Sequence, residues 1–304
     1  MPGKSIFYTV LLCGVMFILS GCGKKQDAQQ SNLAVAGLPP VAWIAGEIGR
    51  NCIAAASLLP EGRSPHDYAP GPSVLRRVSG AKLFLSCGMP FENSAAKVLS
   101  GNVRCVDVTK NIDRIMLDVS GSVHHHHHHA DGSSCSDDGS DPHIWLSCKN
   151  VCKIAENIAA ALEEADPANK AVYRSNLKEF TGRFEKLHAE TAKKLSPFAG
   201  RAFFVYHPAF GYFAGEYNLK QHSIELDGRE ISAARMAEVI KLARKERAKV
   251  IFVQKQFNPR SSEVLAKESN SKCVGIDPLA FDIEKNIREI ADALTAGFGG
   301  VNEL

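Results

Sequence analysis

One long amphipathic stretch, bracketed by Pro167 and Pro197, constrains this 304-residue chain more than any other feature. Tyr173, Leu177, Phe180, Phe184, Leu187 and Thr191 recur at alternating steps of four and three, which places them on one face of a helix. The opposite face is charged. Proline opens a helix readily and cannot continue one, so the two prolines set its bounds. At 1.5 Å per residue the helix spans about 45 Å, long enough to run the length of a two-lobed protein. It would join its flanking regions stiffly, with little room for a wide hinge.

The flanking regions share one grammar. Before the helix, Leu33–Ala36, Ile53–Leu58, Ala81–Ser86 and Val103–Val106 read as short strands, separated by helical patterns near Val41–Arg50, Ser73–Val78 and Glu92–Leu99. After it, Ala202–Tyr206, Gln221–Ile224, Val250–Val253 and Cys273–Ile276 read as strands, with amphipathic helices over Ala233–Lys245 and Arg260–Glu268. Strands alternating with helices make parallel sheets. The predicted class is α/β: two parallel-sheet lobes, residues 33–166 and 198–304, joined by one long helix over 167–197.

The first residues read as an export signal. Met1–Lys4 is short and basic, and Ile6–Leu19 is apolar but too short to span a bilayer comfortably. Leu19-Ser20-Gly21-Cys22 resembles the lipobox of bacterial lipoproteins, which implies cleavage before Cys22 and a lipid on its thiol. An ordinary signal peptide or N-terminal anchor is the alternative. Residues 1–21 are then the signal and the polar segment 22–32 a flexible tether, leaving a monomeric domain on the outer face of the cytoplasmic membrane. That face is periplasmic in a cell with an outer membrane. A net charge of +3 with no basic stripe argues against nucleic acid as a partner. The nine cysteines leave disulfide pairing open: export favours pairing, whereas Cys148 and Cys152, four apart on one helical face, suit side-by-side packing as core thiols.

Metal chemistry is announced by six consecutive histidines: His124, His125, His126, His127, His128 and His129. Neutral imidazole suits zinc, copper and nickel. Six adjacent imidazoles cannot be satisfied in a core, and the Gly-, Ser- and Asp-rich residues that follow, through Asp141, read as a loop over 123–141. A purification tag is the bland reading, but tags sit at termini and this run is internal.

Isolated histidines mark a second and more ordered set. His66 lies in a proline-punctuated loop after the strand Ile53–Leu58. His143 follows Asp141 and Pro142, a plausible N-cap and first helical position, which puts it in a helix's first turn. His207 directly follows Ala202–Tyr206, and Asp277 follows Cys273–Ile276. Open α/β sheets bind ligands at the carboxyl ends of their strands, and three of these four positions lie there. Two come from each lobe, so a shared ion would sit in the cleft between lobes. Three histidines and a carboxylate make a sensible four-coordinate zinc site.

The segments carrying these residues are recognisable. Leu59–Ser73 with Pro65-His66-Asp67-Tyr68 at its centre, Asp141–Leu146, Val205–Glu216 and Glu225–Asp227 resemble, in order, the zinc-binding lipoproteins that feed high-affinity zinc ABC importers. The resemblance covers nearly all of the chain beyond the signal. It implies two α/β lobes bridged by one helix, ligands at His66, His143 and His207, an accessory histidine-rich loop over His124–Asp141, and an ABC permease as partner. Zn2+ would be cargo, not a catalytic cofactor. Manganese and iron relatives place a carboxylate where His207 stands, and a third imidazole favours zinc. The fourth ligand stays open among Asp277, solvent and Glu61.

Other readings remain at this point: the same class with manganese or iron as cargo, a zinc hydrolase, or a surface adhesin or zinc buffer. The hydrolase lacks an H-E-x-x-H helix and an evident general base, Glu61 aside.

Overall fold

The computed structural model describes residues 32–117, 123–124, 140–225 and 231–299. The expected signal, the tether up to residue 31, Cys22, His125–His129 and Cys135 lie outside the described residues, and His124 is described by its backbone alone.

Four parallel strands, β1 (Leu33–Ala36), β2 (Ala54–Ser57), β3 (Leu83–Ser86) and β4 (Arg104–Asp107), form the first sheet in the order β2-β1-β3-β4. Helices α1 (Pro39–Gly49), α2 (Pro72–Val78) and α3 (Pro90–Leu99) connect them, each opened by proline in its first turn. A two-stranded antiparallel ribbon, β5 (Met116–Leu117) and β6 (Val123–His124), follows. Then come α4 (Cys148–Ala165) and the long α5 (Lys170–Leu195).

The second sheet is built from β7 (Ala202–Val205), β8 (Lys220–Ser223), β9 (Val250–Gln254) and β10 (Lys272–Ile276), all parallel, in the order β10-β9-β7-β8. Helices α6 (Gly211–Glu216), α7 (Ala233–Lys245) and α8 (Arg260–Ser269) connect its strands, and α9 (Ile283–Gly299) follows β10. In both sheets the chain steps outward from its first strand, then crosses to that strand's other side. This reversal leaves a crevice at the carboxyl ends of the strands.

The linking helix is shorter than the spacing of the prolines predicts. Pro167–Asn169 and Ser196–Phe198 are tighter single turns, and the α-helical part has 26 residues, about 39 Å long. Its apolar stripe is as expected: Tyr173, Phe180, Phe184, Leu187 and Thr191 are buried and Leu177 is half-buried. Trp43 of α1 packs on Phe180 and Phe184, and the Asn176 amide donates to Ile48 O at 2.9 Å. Arg183 pairs with Glu47 of α1 on one side and Glu284 of α9 on the other. One helix is thus fixed to both lobes through apolar and polar contacts.

A continuous apolar body runs through the first lobe, under α5, and onto one face of the second sheet; a smaller cluster around Phe204, Ile224, Ile251 and Leu265 fills the other face beneath α7 and α8. The six described cysteines are free thiols, which departs from the pairing expected of an exported chain. Cys148 is buried beside the Tyr217 hydroxyl, which lies 3.3 Å from its sulfur, and burial pushes the thiols of Cys148 and Cys152 up to about 12. Uncharged packing thiols result.

Candidate metal centre

His207 is positioned by strand register. β7 pairs with β8 with Val205 opposite Ser223, and with β9 with Val205 opposite Phe252. Two residues further, His207 falls between Glu225 and Gln254. The Gln254 side chain, fully buried, clamps its backbone: His207 N donates to Gln254 Oε1 at 2.7 Å, and Gln254 Nε2 donates to His207 O at 2.9 Å. Glu225, also buried, holds the ring, with both carboxylate oxygens 3.3 Å from Nδ1. Phe257 stacks on the imidazole with centroids 5.2 Å apart.

His143 is held differently from the sequence expectation. Asp141 does not cap a helix that contains it. A single 3-10 turn, Ile144–Leu146, follows His143, and α4 starts later with Ser147 as its cap. Asp141 is instead wholly buried and turns its carboxylate onto its own neighbour. Its Oδ1 accepts from His143 N at 2.9 Å and lies 2.7 Å from His143 Nδ1. Trp145, buried beside the ring, donates from Nε1 to Pro278 O at 2.7 Å and so ties this loop to the second lobe.

His66 comes from the long loop after β2. Its N–H donates to Ser64 Oγ at 3.3 Å, and the Tyr68 hydroxyl donates back to Leu58 O at 3.2 Å, which closes the loop on itself. His66 keeps a solvent-exposed side, whereas His143 is buried and His207 is nearly so.

The three imidazoles converge. His143 Nε2 lies 3.4 Å from His66 Nε2 and 3.2 Å from His207 Nε2, and each residue offers a ligand atom within 4.8 Å of the others. Two nitrogens on one tetrahedral zinc at roughly 2.0–2.1 Å stand about 3.3–3.4 Å apart, the spacing seen here. The outer carboxylates give the second argument. Asp141 and Glu225 each face an Nδ1, which assigns the Nδ1–H tautomer to both rings from their hydrogen-bond partners. Both Nε2 atoms then present lone pairs to each other, an arrangement that a cation relieves. Burial, with the nearby His143 and His207 rings adding to it, holds His66 well below the ordinary histidine range; burial lowers His207 as well, against the opposing pull of Glu225. Neutral imidazole is the ligand form.

Asp277 and Glu61 do not join this cluster. The Asp277 carboxylate is engaged nearby: Oδ1 accepts from Gln256 Nε2 at 2.7 Å and from Leu279 N at 3.0 Å, and Oδ2 lies 3.5 Å from Lys255 Nζ. Glu61 is exposed in the turn before His66. Sequence reasoning did not find the supporting roles of Asp141, Glu225 and Gln254. The last two meet His207 only through the register of adjacent parallel strands, which a linear pattern does not display.

Residues 35–296 match the family described as zinc-uptake complex component A, periplasmic. The chain belongs to that family. It is 33% identical over 224 residues to the high-affinity zinc uptake system protein ZnuA of Bacillus subtilis, covering 71% of this chain and 68% of the relative. It is 28% identical over 271 residues to the metal ABC transporter substrate-binding lipoprotein SloC of Streptococcus mutans, covering 88% and 87%. The manganese ABC transporter substrate-binding lipoprotein PsaA of Streptococcus mitis is 26% identical over 268 residues, covering 86% and 85%. A crystal structure of a ZnuA superposes with a TM-score of 0.79 at 31% identity, covering 88% of this chain and 99% of that one. The family consists of substrate-binding proteins of metal ABC transporters, not enzymes, and its two-lobed α/β fold with a long central helix is the fold described above. No helix among the described residues is long and apolar enough to cross a membrane.

Proposed function

We propose that this chain captures Zn2+ outside the cytoplasmic membrane and hands it to an ABC permease. His66, His143 and His207 bind the ion through Nε2, and solvent completes the coordination on the exposed side of His66. The observation that carries this reading is the third imidazole: His207 Nε2, 3.2 Å from His143 Nε2, where a hard oxygen ligand would suit manganese better. Asp277 serves as a neighbour held by Gln256 and Lys255, not as a primary ligand. In this reading residues 1–21 are removed, Cys22 carries the lipid, residues 22–32 tether a monomer, and His124–His129 are an accessory zinc-gathering segment. Residues 33–166 and 198–304 are the lobes on either side of the helix 167–197.

Manganese is the second reading, because SloC and PsaA are named for metal and manganese transport and align over most of this chain. Competition separates the two. Zinc bound at one site per chain should resist a large excess of Mn2+; displacement by Mn2+ would reassign the cargo.

A further inference from the structure

We infer that Tyr212, which no ligand role requires, is a positioning residue for metal binding: its hydroxyl locks the loop carrying His143 against the element that follows His207. Tyr212 lies in α6, five residues beyond His207, and is buried. Its hydroxyl donates to Asp141 O at 2.9 Å and accepts from Ile115 N at 3.3 Å. Asp141 N in turn donates to Ile115 O at 2.8 Å, so the three residues close a ring of hydrogen bonds. One end of that ring is the residue whose carboxylate fixes His143 at both N and Nδ1. The other end adjoins Met116, whose backbone pairs with His124 on one side and Ser140 on the other.

A phenol that satisfies two buried backbone groups sets where those chains run, because an unpaired buried amide or carbonyl is costly. Here the chains come from the first lobe and the phenol from the second. The distance between His143 Nε2 and His207 Nε2 therefore depends on a bond made away from both rings. Tyr212→Phe keeps the ring and its packing but leaves Asp141 O and Ile115 N without their partner. Asp141 can then relax, and His143 loses its aim.

The inference rests on His143 being a ligand of the tight site, and the experiment separates the two claims. Zinc affinity and release rate are measured by chelator competition in wild type, Tyr212→Phe, Asp141→Asn, the double variant, His143→Ala and Tyr217→Phe. Tyr217 is the control: a buried phenol just past the other end of α6, facing Cys148 instead of the ligand loop. Tyr212→Phe should weaken zinc binding roughly tenfold, the lower end of what outer-sphere losses cost, through faster release. It should add almost nothing in the Asp141→Asn background, since both act through one residue. Tyr217→Phe should bind as wild type does. In wild type, zinc should slow hydrogen exchange at the Ile115 amide, because coupling between the site and this bond is reciprocal. Unchanged affinity in Tyr212→Phe, additivity with Asp141→Asn, or Ile115 exchange that ignores zinc overturns the role of Tyr212. Tight binding that survives His143→Ala overturns the site itself.

Discussion

Two ligands of the candidate site are anchored and one is not. His143 and His207 each have Nδ1 against a buried carboxylate, and each sits on backbone pinned by a second contact: His143 N on Asp141, His207 N and O on Gln254. His66 has a solvent-exposed side and, for its backbone, one hydroxyl contact within its own loop. The contrast says where stiffness resides in a protein that must bind an ion and let it go. In the proposed site the anchored pair would preset half of the coordination sphere at the floor of the cleft. His66 would close it from a loop whose rearrangement costs little of the core. α5, fastened to both lobes by Trp43, Asn176 and Arg183, opposes a wide lobe hinge.

The largest effects should come from removing an anchored ligand. His143→Ala or His207→Ala should abolish tight zinc binding, a loss beyond the roughly 10–100-fold cost of an outer-sphere change. His66→Ala should also lose affinity, with more of the loss in the release rate, measurable by stopped-flow chelation. Equal release rates in all three would erase the distinction between anchored and exposed ligands.

Next in size are the anchors. Asp141→Asn and Glu225→Gln should each weaken binding by roughly 10–100-fold, Asp141→Asn more so, because its contact is shorter and doubled through the His143 amide. Isothermal titration of both variants checks the order, and a neutral Asp141→Asn would mean the carboxylate does not hold the ring.

A smaller effect is expected from pH. His66 and His207 are held below the ordinary histidine value of 6.5, so below that value the unfolded chain binds protons that the folded chain refuses. The stability these rings contribute is fully present above pH 6.5 and is lost progressively as pH falls toward their lowered native values. Urea midpoints of the zinc-free protein should therefore drop between pH 7 and mildly acid conditions, and a rise would contradict the sign. The smallest effects should follow Asp277→Asn and deletion of residues 124–135. Both should keep one tight site, while the deletion lowers total bound zinc by equilibrium dialysis with metal analysis.

Much of the fold was legible because the strands are short apolar runs and the helices amphipathic. β1 and α7 begin and end where the pattern places them, and β10 starts one residue earlier than read. α6 escaped because six residues opened by glycine carry no usable period. α9 could have been read from Ile283, Ile287, Ile290 and Leu294, which share its buried face. The three histidines were visible as isolated imidazoles, His66 and His207 on loops after strands and His143 behind an apparent helix cap. Their anchors were not, for two physical reasons. A carboxylate next to a turn looks like a helix cap, as Asp141 did, and Glu225 meets His207 only through strand register that a linear pattern does not display.

The central claim, that three imidazoles on ordered loops form one tight zinc site, has a direct test in a zinc titration of the soluble chain beside its His143→Ala variant, with bound metal counted and Mn2+ present in excess. The account predicts one tight zinc per wild-type chain that Mn2+ does not displace, and none in the variant. Tight zinc retained by His143→Ala, or surrendered to Mn2+ by the wild type, would contradict it.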